Sequence, residues 1–428
     1  MKIAIAGYGM EGKSNFEYFR HLGEITIVDE RNEVPDLPAG VPTILGEGAF
    51  SRLSDFDLVV RTAGLAPRKI TTDGKIWSAT NEFFDKCKTP IIGVTGTKGK
   101  GTTSSLAESI LKAAGLKTML VGNIGVPALT ALKEANDADV VVYEMSSFQL
   151  WDLEKSPQVA VVLMIEPDHL DVHASFDEYI EAKSNIRRFQ TSSDVCFYHP
   201  TNEFSARIVA SGTAPAYKYN DSSEVRAVYV KDNAFYIENR RICGTNALQL
   251  PGEHNIDNAC AAISAALEMT DNFNAVEQGL RSFTGLPHRL KFVREINGVR
   301  YFDDSIATTP GSAIAAMKAF DAPKVLIMGG SSKGANFNEL AEFATMHHVE
   351  HIIAIGTEAQ AIELAFAAKN IPVVNLGLNA TMTTIVRTAA SVARPGGVVA
   401  LSPACASFDM FKSYADRGDK FIAAVNEL

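Results

Sequence analysis

Most of the chemistry available to this chain lies in one run, Ile91-Ile92-Gly93-Val94-Thr95-Gly96-Thr97-Lys98-Gly99-Lys100-Gly101-Thr102-Thr103. A β-prone stretch passes into a glycine turn, a lysine and paired threonines. A helical pattern follows, with Leu106, Ile110, Leu111 and Ala114 on one face and Gly115 as a natural stop. Strand, glycine loop and helix in that order make a phosphate cradle: backbone N–H groups at the helix N-terminus face the anion and the lysine adds a point charge. Gly96, Thr97, Lys98, Gly99, Lys100, Gly101, Thr102 and Thr103 are therefore the expected contacts of a nucleoside triphosphate. The loop departs from the usual P-loop in two respects: its core is a shorter Gly-x-x-Gly-Lys, and Gly101 stands where a Mg²⁺-binding Ser or Thr belongs.

Other residues could serve the same ligand. Glu144 and His169 each follow an apolar strand-like run, and a carboxylate and an imidazole beside a triphosphate suit a divalent cation. An ion-paired carboxylate and a satisfied structural histidine remain the plainer readings of the two. Lys183 sits on a helical pattern and by itself reads as a solvated surface lysine. Asn255 and Asn258, three apart on one helical face, could read a purine edge, although capping alone would account for Asn255. Arg289 follows Leu286-Pro287-His288 at a domain boundary and can reach a phosphate. Asp303-Asp304-Ser305, Lys333 and Ser402-Pro403-Ala404-Cys405-Ala406-Ser407 all fall at the ends of strand-like runs near the C-terminus.

The elements that must position these residues alternate strand and helix throughout. In residues 1–88, Lys2–Ala6 reads as a strand, Gly7 to Gly12 as a glycine turn, Lys13–Leu22 as a helix and Glu24–Val28 as a strand ending at Asp29. This is a Rossmann-like pattern, and its glycine turn can cradle a nucleotide diphosphate. Residues 89–286 hold the phosphate loop and two near-continuous apolar strands, Val140–Tyr143 and Val159–Ile165, as expected of a buried parallel sheet with its site on the carboxyl edge. A hairpin at Val228–Glu238 and a helix at Asn255–Met269 follow. Residues 287–428 alternate again, with strands at Lys324–Met328, His351–Ile355, Val373–Leu376 and Val398–Leu401. The fold class is α/β in three domains: Rossmann-like, a central P-loop-type ATPase with a parallel sheet, and a second Rossmann-like unit.

With 428 residues and a net charge of −10, the chain is too long for one ordinary core and too acidic to favour nucleic acid or an anionic membrane. No apolar run approaches the roughly 18 residues of a membrane span. The first residues resemble a strand rather than a secretion signal, and the five scattered cysteines suit a reducing cytoplasm.

In this order the motifs resemble the Mur ligases of bacterial cell-wall synthesis over essentially the whole chain. The resemblance rests on Gly122-Asn123-Ile124-Gly125, Glu144-Met145-Ser146-Ser147-Phe148-Gln149-Leu150, Asp168-His169-Leu170-Asp171, His254-Asn255 with Asn258, Leu286-Pro287-His288-Arg289 and Ser402 to Ser407. It is nearest to the member that adds D-glutamate to UDP-N-acetylmuramoyl-L-alanine through an acyl phosphate, a step of peptidoglycan precursor synthesis on which cell shape and division depend. It implies ATP and two Mg²⁺ ions as cofactors, small-molecule substrates only, and a cytoplasmic monomer. By match to the family motifs, Lys100, Lys183 and His169 would be catalytic. Glu144, His169, Thr102 and a Lys183 carbamate would hold metal, and Asn255, Asn258, Arg289 and Asp304 would hold nucleotide. Gly9, Met10, Glu11, Asp29, Glu30, Arg31, Thr62, Gly64 and Asn123 would bind the UDP substrate, and Lys333, Ser407 and Tyr414 the incoming glutamate.

Two departures bear on that expectation. Gly99-Lys100-Gly101-Thr102 looks more like folylpolyglutamate synthase, which would pass the Mg²⁺ hydroxyl to Thr102. Ile306 replaces a lysine and Thr309 an asparagine of the family pattern, which leaves L-glutamate open as the substrate. A folylpolyglutamate synthase would lack the N-terminal glycine-turn domain. An NAD-dependent oxidoreductase would leave the phosphate loop idle, and a silent ATP-binding regulator would not need Lys100, Glu144 and Lys183 together.

Overall fold

A computed structural model describes residues 1–123, 128–250, 252–331 and 336–428. The chain forms two compact units, Met1–Thr284 and Gly285–Leu428.

Among the described residues the first unit contains three sheets. The N-terminal one is five-stranded and wholly parallel, with Lys2–Ala6 at its centre between Glu24–Asp29 and Leu58–Arg61. Its helix runs Met10–Phe19 rather than Lys13–Leu22: it starts inside the glycine turn, with Gly9 at the N-cap and no side chain capping it. With no Ser, Thr, Asp or Asn to mark the start, the boundary was illegible in the sequence. The turn itself needs its glycines. A Cβ on Gly12 would lie 2.1 Å from the Gly7 carbonyl oxygen, and Gly7 has φ +92.

The second sheet has six parallel strands in the order 216–218, 195–198, 159–162, 91–95, 140–144 and 118–122. Ile91–Thr95 is fully buried and flanked by Val140–Glu144 and Val159–Val162, so three chain reversals open at one point on the carboxyl edge. Val159–Val162 is shorter than expected; the residues after it leave the sheet to form the turn that carries His169. The expected hairpin is present, Tyr229–Lys231 with Ala234–Ile237, and Asp232 and Asn233 both have positive φ, as a tight two-residue turn requires. A third strand, Arg240–Gly244, completes that small sheet.

The helix Lys100–Ala113 leaves the phosphate loop and packs against Glu253–Ala266 and Phe273–Ser282 over a core of Leu106, Ile110, Ala262 and Val276. In the second unit a six-stranded sheet runs 291–296, 299–303, 398–401, 324–329, 349–355 and 373–377. All its pairings are parallel except the first, and helices cover it with two apolar clusters.

Gly279 lets two helices touch: a Cβ there would lie 2.5 Å from Ile110 Cα and 2.7 Å from its nitrogen. Gly279→Ala gains about 1 kcal/mol of helix propensity, but the clash is with backbone that cannot rotate away, an overpacking cost of about 1–3 kcal/mol or more. The expected outcome in thermal unfolding is a lower midpoint; a higher one would show that the two helices are free to separate.

Candidate active site

The phosphate loop is held from below by its neighbours in the sheet. Thr95 donates its hydroxyl to the Met145 carbonyl at 2.8 Å, and Thr97 Oγ1 lies 2.9 Å from the Tyr179 hydroxyl and 3.0 Å from the Glu166 carbonyl. Gly99 is left-handed, φ +83, and a Cβ on it would meet Asn258 Oδ1 at 2.5 Å. That contact places Asn258 beside the loop. Its amide donates to Asn255 Oδ1 at 3.1 Å, so the two asparagines act as one edge at the start of the helix Glu253–Ala266. Lys98 faces outward in an ion pair with Glu166, and Gly101, Thr102 and Thr103 form the first turn of the helix behind the loop.

Two lysines converge on this loop. Lys100 Nζ donates to the carbonyls of Gly96 at 2.9 Å and Thr97 at 3.0 Å. Lys183, on the helix Phe176–Arg188, donates to Thr95 Oγ1 at 3.0 Å and to the same Gly96 carbonyl at 3.1 Å. Lys183 is 1% exposed, which removes it from the solvated surface. Burial pushes its ammonium well below the usual lysine range, the nearby Lys100 pushes it further, and Asp168 and Glu144 act against them. Glu144 closes its strand rather than following it and pairs in register with Val94. Its Oε1 accepts from Asn123 Nδ2 at 2.9 Å, while Oε2 is buried without a hydrogen-bond partner among the described residues. A buried carboxylate oxygen with no donor beside a phosphate loop suits a cation.

His169 is half-exposed with φ +54, its ring 4.9 Å from Phe148. Among the described residues no three His, Cys, Asp or Glu side chains form a ready-made metal cage. Ile124 and Gly125 of the expected substrate motif lie outside the described residues, as does Lys333.

In the N-terminal sheet the expected substrate residues cluster at the carboxyl edge, but three of them, Asp29, Arg31 and Glu11, are already engaged. Asp29 accepts from Arg31 Nε and Nη2 and from the Tyr8 and Arg31 backbone; hydrogen bonding to Arg31 chiefly holds its carboxyl down at about 2. Glu11 accepts from the Ala63 N–H at 2.8 Å, and burial raises its pKa. Gly9 and Gly64 have open space where a side chain would be, Thr62 packs under Gly7, and Met10 and Glu30 are exposed.

In the second unit Asp304 is 4% exposed, accepting from Ser402 Oγ at 2.9 Å and from the Leu290 N–H at 3.2 Å. Burial raises its carboxyl to about 7. Arg289 is exposed; Ser407 is buried at the end of the Ser402 to Ser407 segment; Tyr414 opens the last helix with its ring 6.2 Å from His288. Thr309 caps the helix Pro310–Lys318 and, with Thr308, Ser331 and Glu358, lines a cavity of about 210 Å³. Sequence reasoning missed Arg417, a buried guanidinium that donates to Ser305 Oγ and to the carbonyls of Ser305 and Cys405. It also missed the 2.6 Å contact between His288 and Asp303. No pattern distinguishes such residues from surface charges.

Two family models match: the Mur ligase middle domain over residues 94–266 and the Mur ligase glutamate ligase domain over residues 288–405. The UDP-N-acetylmuramoylalanine–D-glutamate ligase of Clostridium tetani is 34% identical, the alignment covering 100% of this chain and 97% of the relative. That of Clostridium acetobutylicum is 35% identical, covering 100% and 96%. The chain belongs to the Mur ligase family. Solved structures agree in fold. MurF from Acinetobacter baumannii aligns with TM-score 0.61 at 18% identity over 87% of this chain and 85% of that one. E. coli FolC in complex with DHPP and ADP gives 0.59 at 19% over 82% and 91%. The three-domain α/β class expected from sequence is thus the fold of the family, and Mur ligases use ATP and Mg²⁺. Among the described residues no helix is long and apolar enough to cross a membrane.

Asp304 gives this Mur ligase a pH signature. Its carboxyl rises from an ordinary 3.8 to about 7 on folding, so its contribution is fully present below about pH 4 and is lost as pH rises to about 7. Asp304→Asn should remove that loss: its unfolding midpoint should match wild type near pH 4 and exceed it at pH 8. A wild-type-to-variant difference independent of pH would contradict the assignment.

Proposed function

We propose that this Mur ligase joins D-glutamate to UDP-N-acetylmuramoyl-L-alanine in the cytoplasm as a monomer, using ATP and two Mg²⁺ ions. The observation that carries this reading is the chain-long identity to ligases named for that reaction. In the reaction, a carboxylate oxygen of the UDP substrate attacks the γ-phosphorus and ADP leaves. The amine of glutamate then attacks the acyl carbon, gives up a proton, and phosphate departs as the amide forms.

The residues suit those steps. Lys100, with backbone N–H groups of the glycine loop where the helix Lys100–Ala113 begins, neutralises charge on the β- and γ-phosphates. Mg²⁺, when bound, supplies further neutralisation at the phosphoryl oxygens. Glu144 Oε2, His169 and the Thr102 hydroxyl are the groups assigned to it, with Lys183 as a carbamate. A lysine whose burial favours the neutral amine is the form that can attack CO₂ and lose a proton to become that anion. Asn255 and Asn258 face adenine; Arg289 and Asp304 keep the nucleotide roles that the family pattern gives them. Gly9, Met10, Glu11, Asp29, Glu30, Arg31, Thr62, Gly64 and Asn123 bind the UDP substrate, Asp29 and Glu11 by shaping the turn. Ser407, Tyr414 and Lys333 take the amino acid.

L-Glutamate is the second reading, favoured by Ile306 and Thr309 in the segment that faces the amino acid in the family pattern. Phosphate release from ATP with UDP-N-acetylmuramoyl-L-alanine and each enantiomer of glutamate decides between them, with dihydrofolate run alongside. A kcat/KM preference for D-glutamate is expected. A preference for L-glutamate would overturn the stereochemical assignment, and turnover with the folate alone would overturn the substrate class.

A further inference from the structure

Beside the phosphate loop lies a histidine that the reaction as described does not use. His173 is 2% exposed, and its Nε2 lies 2.9 Å from Ser147 Oγ. Its ring stacks on Phe148 at 5.4 Å with an interplanar angle of 7°, lies 4.2 Å from Trp151 and meets Tyr179 edge-on at 5.3 Å. A ring so enclosed has one orientation. Both ends of its contacts lead to residues assigned to the cation. Ser147 is three residues beyond Glu144, at the start of the short helix Ser147–Leu150. The His173 backbone N–H donates to the His169 carbonyl at 2.9 Å, closing the turn in which His169 takes a left-handed conformation, φ +54.

The same turn is tied to the N-terminal sheet. Arg68 donates to the Val172 carbonyl and to Glu178 Oε1 at 2.8 Å, and its guanidinium lies over the Trp151 ring at 5.4 Å. Glu178 Oε2 accepts from the Ala174 N–H and faces His173 Nδ1 at 3.7 Å. Among the described residues that Nδ1 is buried with no hydrogen-bond partner, and the ring's hydrogen bond is the one to Ser147.

We propose that His173 is a positioning residue: its bond to Ser147 and its stack on Phe148 fix the distance between the Glu144 segment and the turn carrying His169. This rests on the proposed assignment of Glu144 and His169 to Mg²⁺. Partners behind metal ligands of this kind are worth roughly ten- to a hundredfold in metal affinity. Here the device joins two chain segments that approach the site from different strands, and Arg68 makes the substrate-binding sheet part of the same frame.

The test is calorimetric titration of Mg²⁺ into the full chain with ADP present, paired with thermal unfolding in the absence of metal. His173→Ala and Ser147→Ala should each weaken Mg²⁺ roughly ten- to a hundredfold, and His173→Gln, which keeps an amide nitrogen near Nε2, should recover to within about threefold of wild type. Ser147→Ala removes one oxygen from a well-packed place and keeps the experiment decisive if His173→Ala does not fold. Mg²⁺ affinity unchanged in both variants, whatever their unfolding midpoints, would make His173 a packing residue and overturn the inference. Glu144→Gln separates the two levels. Loss of Mg²⁺ affinity there with none in Ser147→Ala overturns the inference alone, and no loss in Glu144→Gln removes the metal reading and the inference with it.

Discussion

Two lysine side chains donating to one backbone carbonyl set the terms for the rest of the site. Lys100 and Lys183 both reach the Gly96 oxygen, and Lys183 does so from full burial. Two adjacent cations in a low-dielectric place repel by several kcal/mol unless an anion joins them or one sheds its proton. The surroundings allow either outcome. Glu144 and Asp168 supply negative field, and desolvation favours the neutral amine. The loop's glycines, the strand register that sets Glu144 against Val94 and the helix that carries Lys183 all serve to bring these groups to one point.

Buried arginines carry the mechanical side of the architecture. Arg61, at the end of a strand in the N-terminal sheet, is 0% exposed and forms a two-point pair with Asp152 while donating to the Phe148 carbonyl. Together with Arg68 it ties the N-terminal sheet and its loops to the segments that hold the expected metal ligands. Arg417 does the equivalent within the second unit, binding Ser305 and the Cys405–Ala406 backbone so that two strand ends keep their places. Breaking a buried pair of the Arg61–Asp152 kind is strongly destabilising, because it strands a charge, so such residues act as fixed joints.

Much of this was legible in the sequence, and the reason is local. The phosphate loop, the Lys2–Ala6 strand and the Asp232-Asn233 hairpin are written by short-range chemistry: glycines at positive φ, apolar runs and turn residues. The element boundaries were less so. The helix that starts at Met10 has no side-chain cap to announce it, and the strand ending at Val162 runs into apolar residues that look like more strand. Least legible were residues whose role depends on what folding brings beside them. Lys183 read as a surface lysine from its own helix, and only the packing of that helix under the phosphate loop makes it buried. His173, Arg61 and Arg417 carried no pattern at all. Asp29 and Glu11 show the reverse: a motif marks them as ligand residues, while their side chains are spent on Arg31 and on the Ala63 N–H.

The central claim is that the site activates a carboxylate by phosphorylating it before the amine arrives. UDP-N-acetylmuramoyl-L-alanine labelled with ¹⁸O in its carboxylate tests this directly, with mass analysis of the phosphate released during a glutamate-dependent turnover. An acyl phosphate requires one carboxylate oxygen to leave with the phosphorus, so the account predicts one ¹⁸O in each phosphate formed. Unlabelled phosphate accompanying amide formation would contradict it.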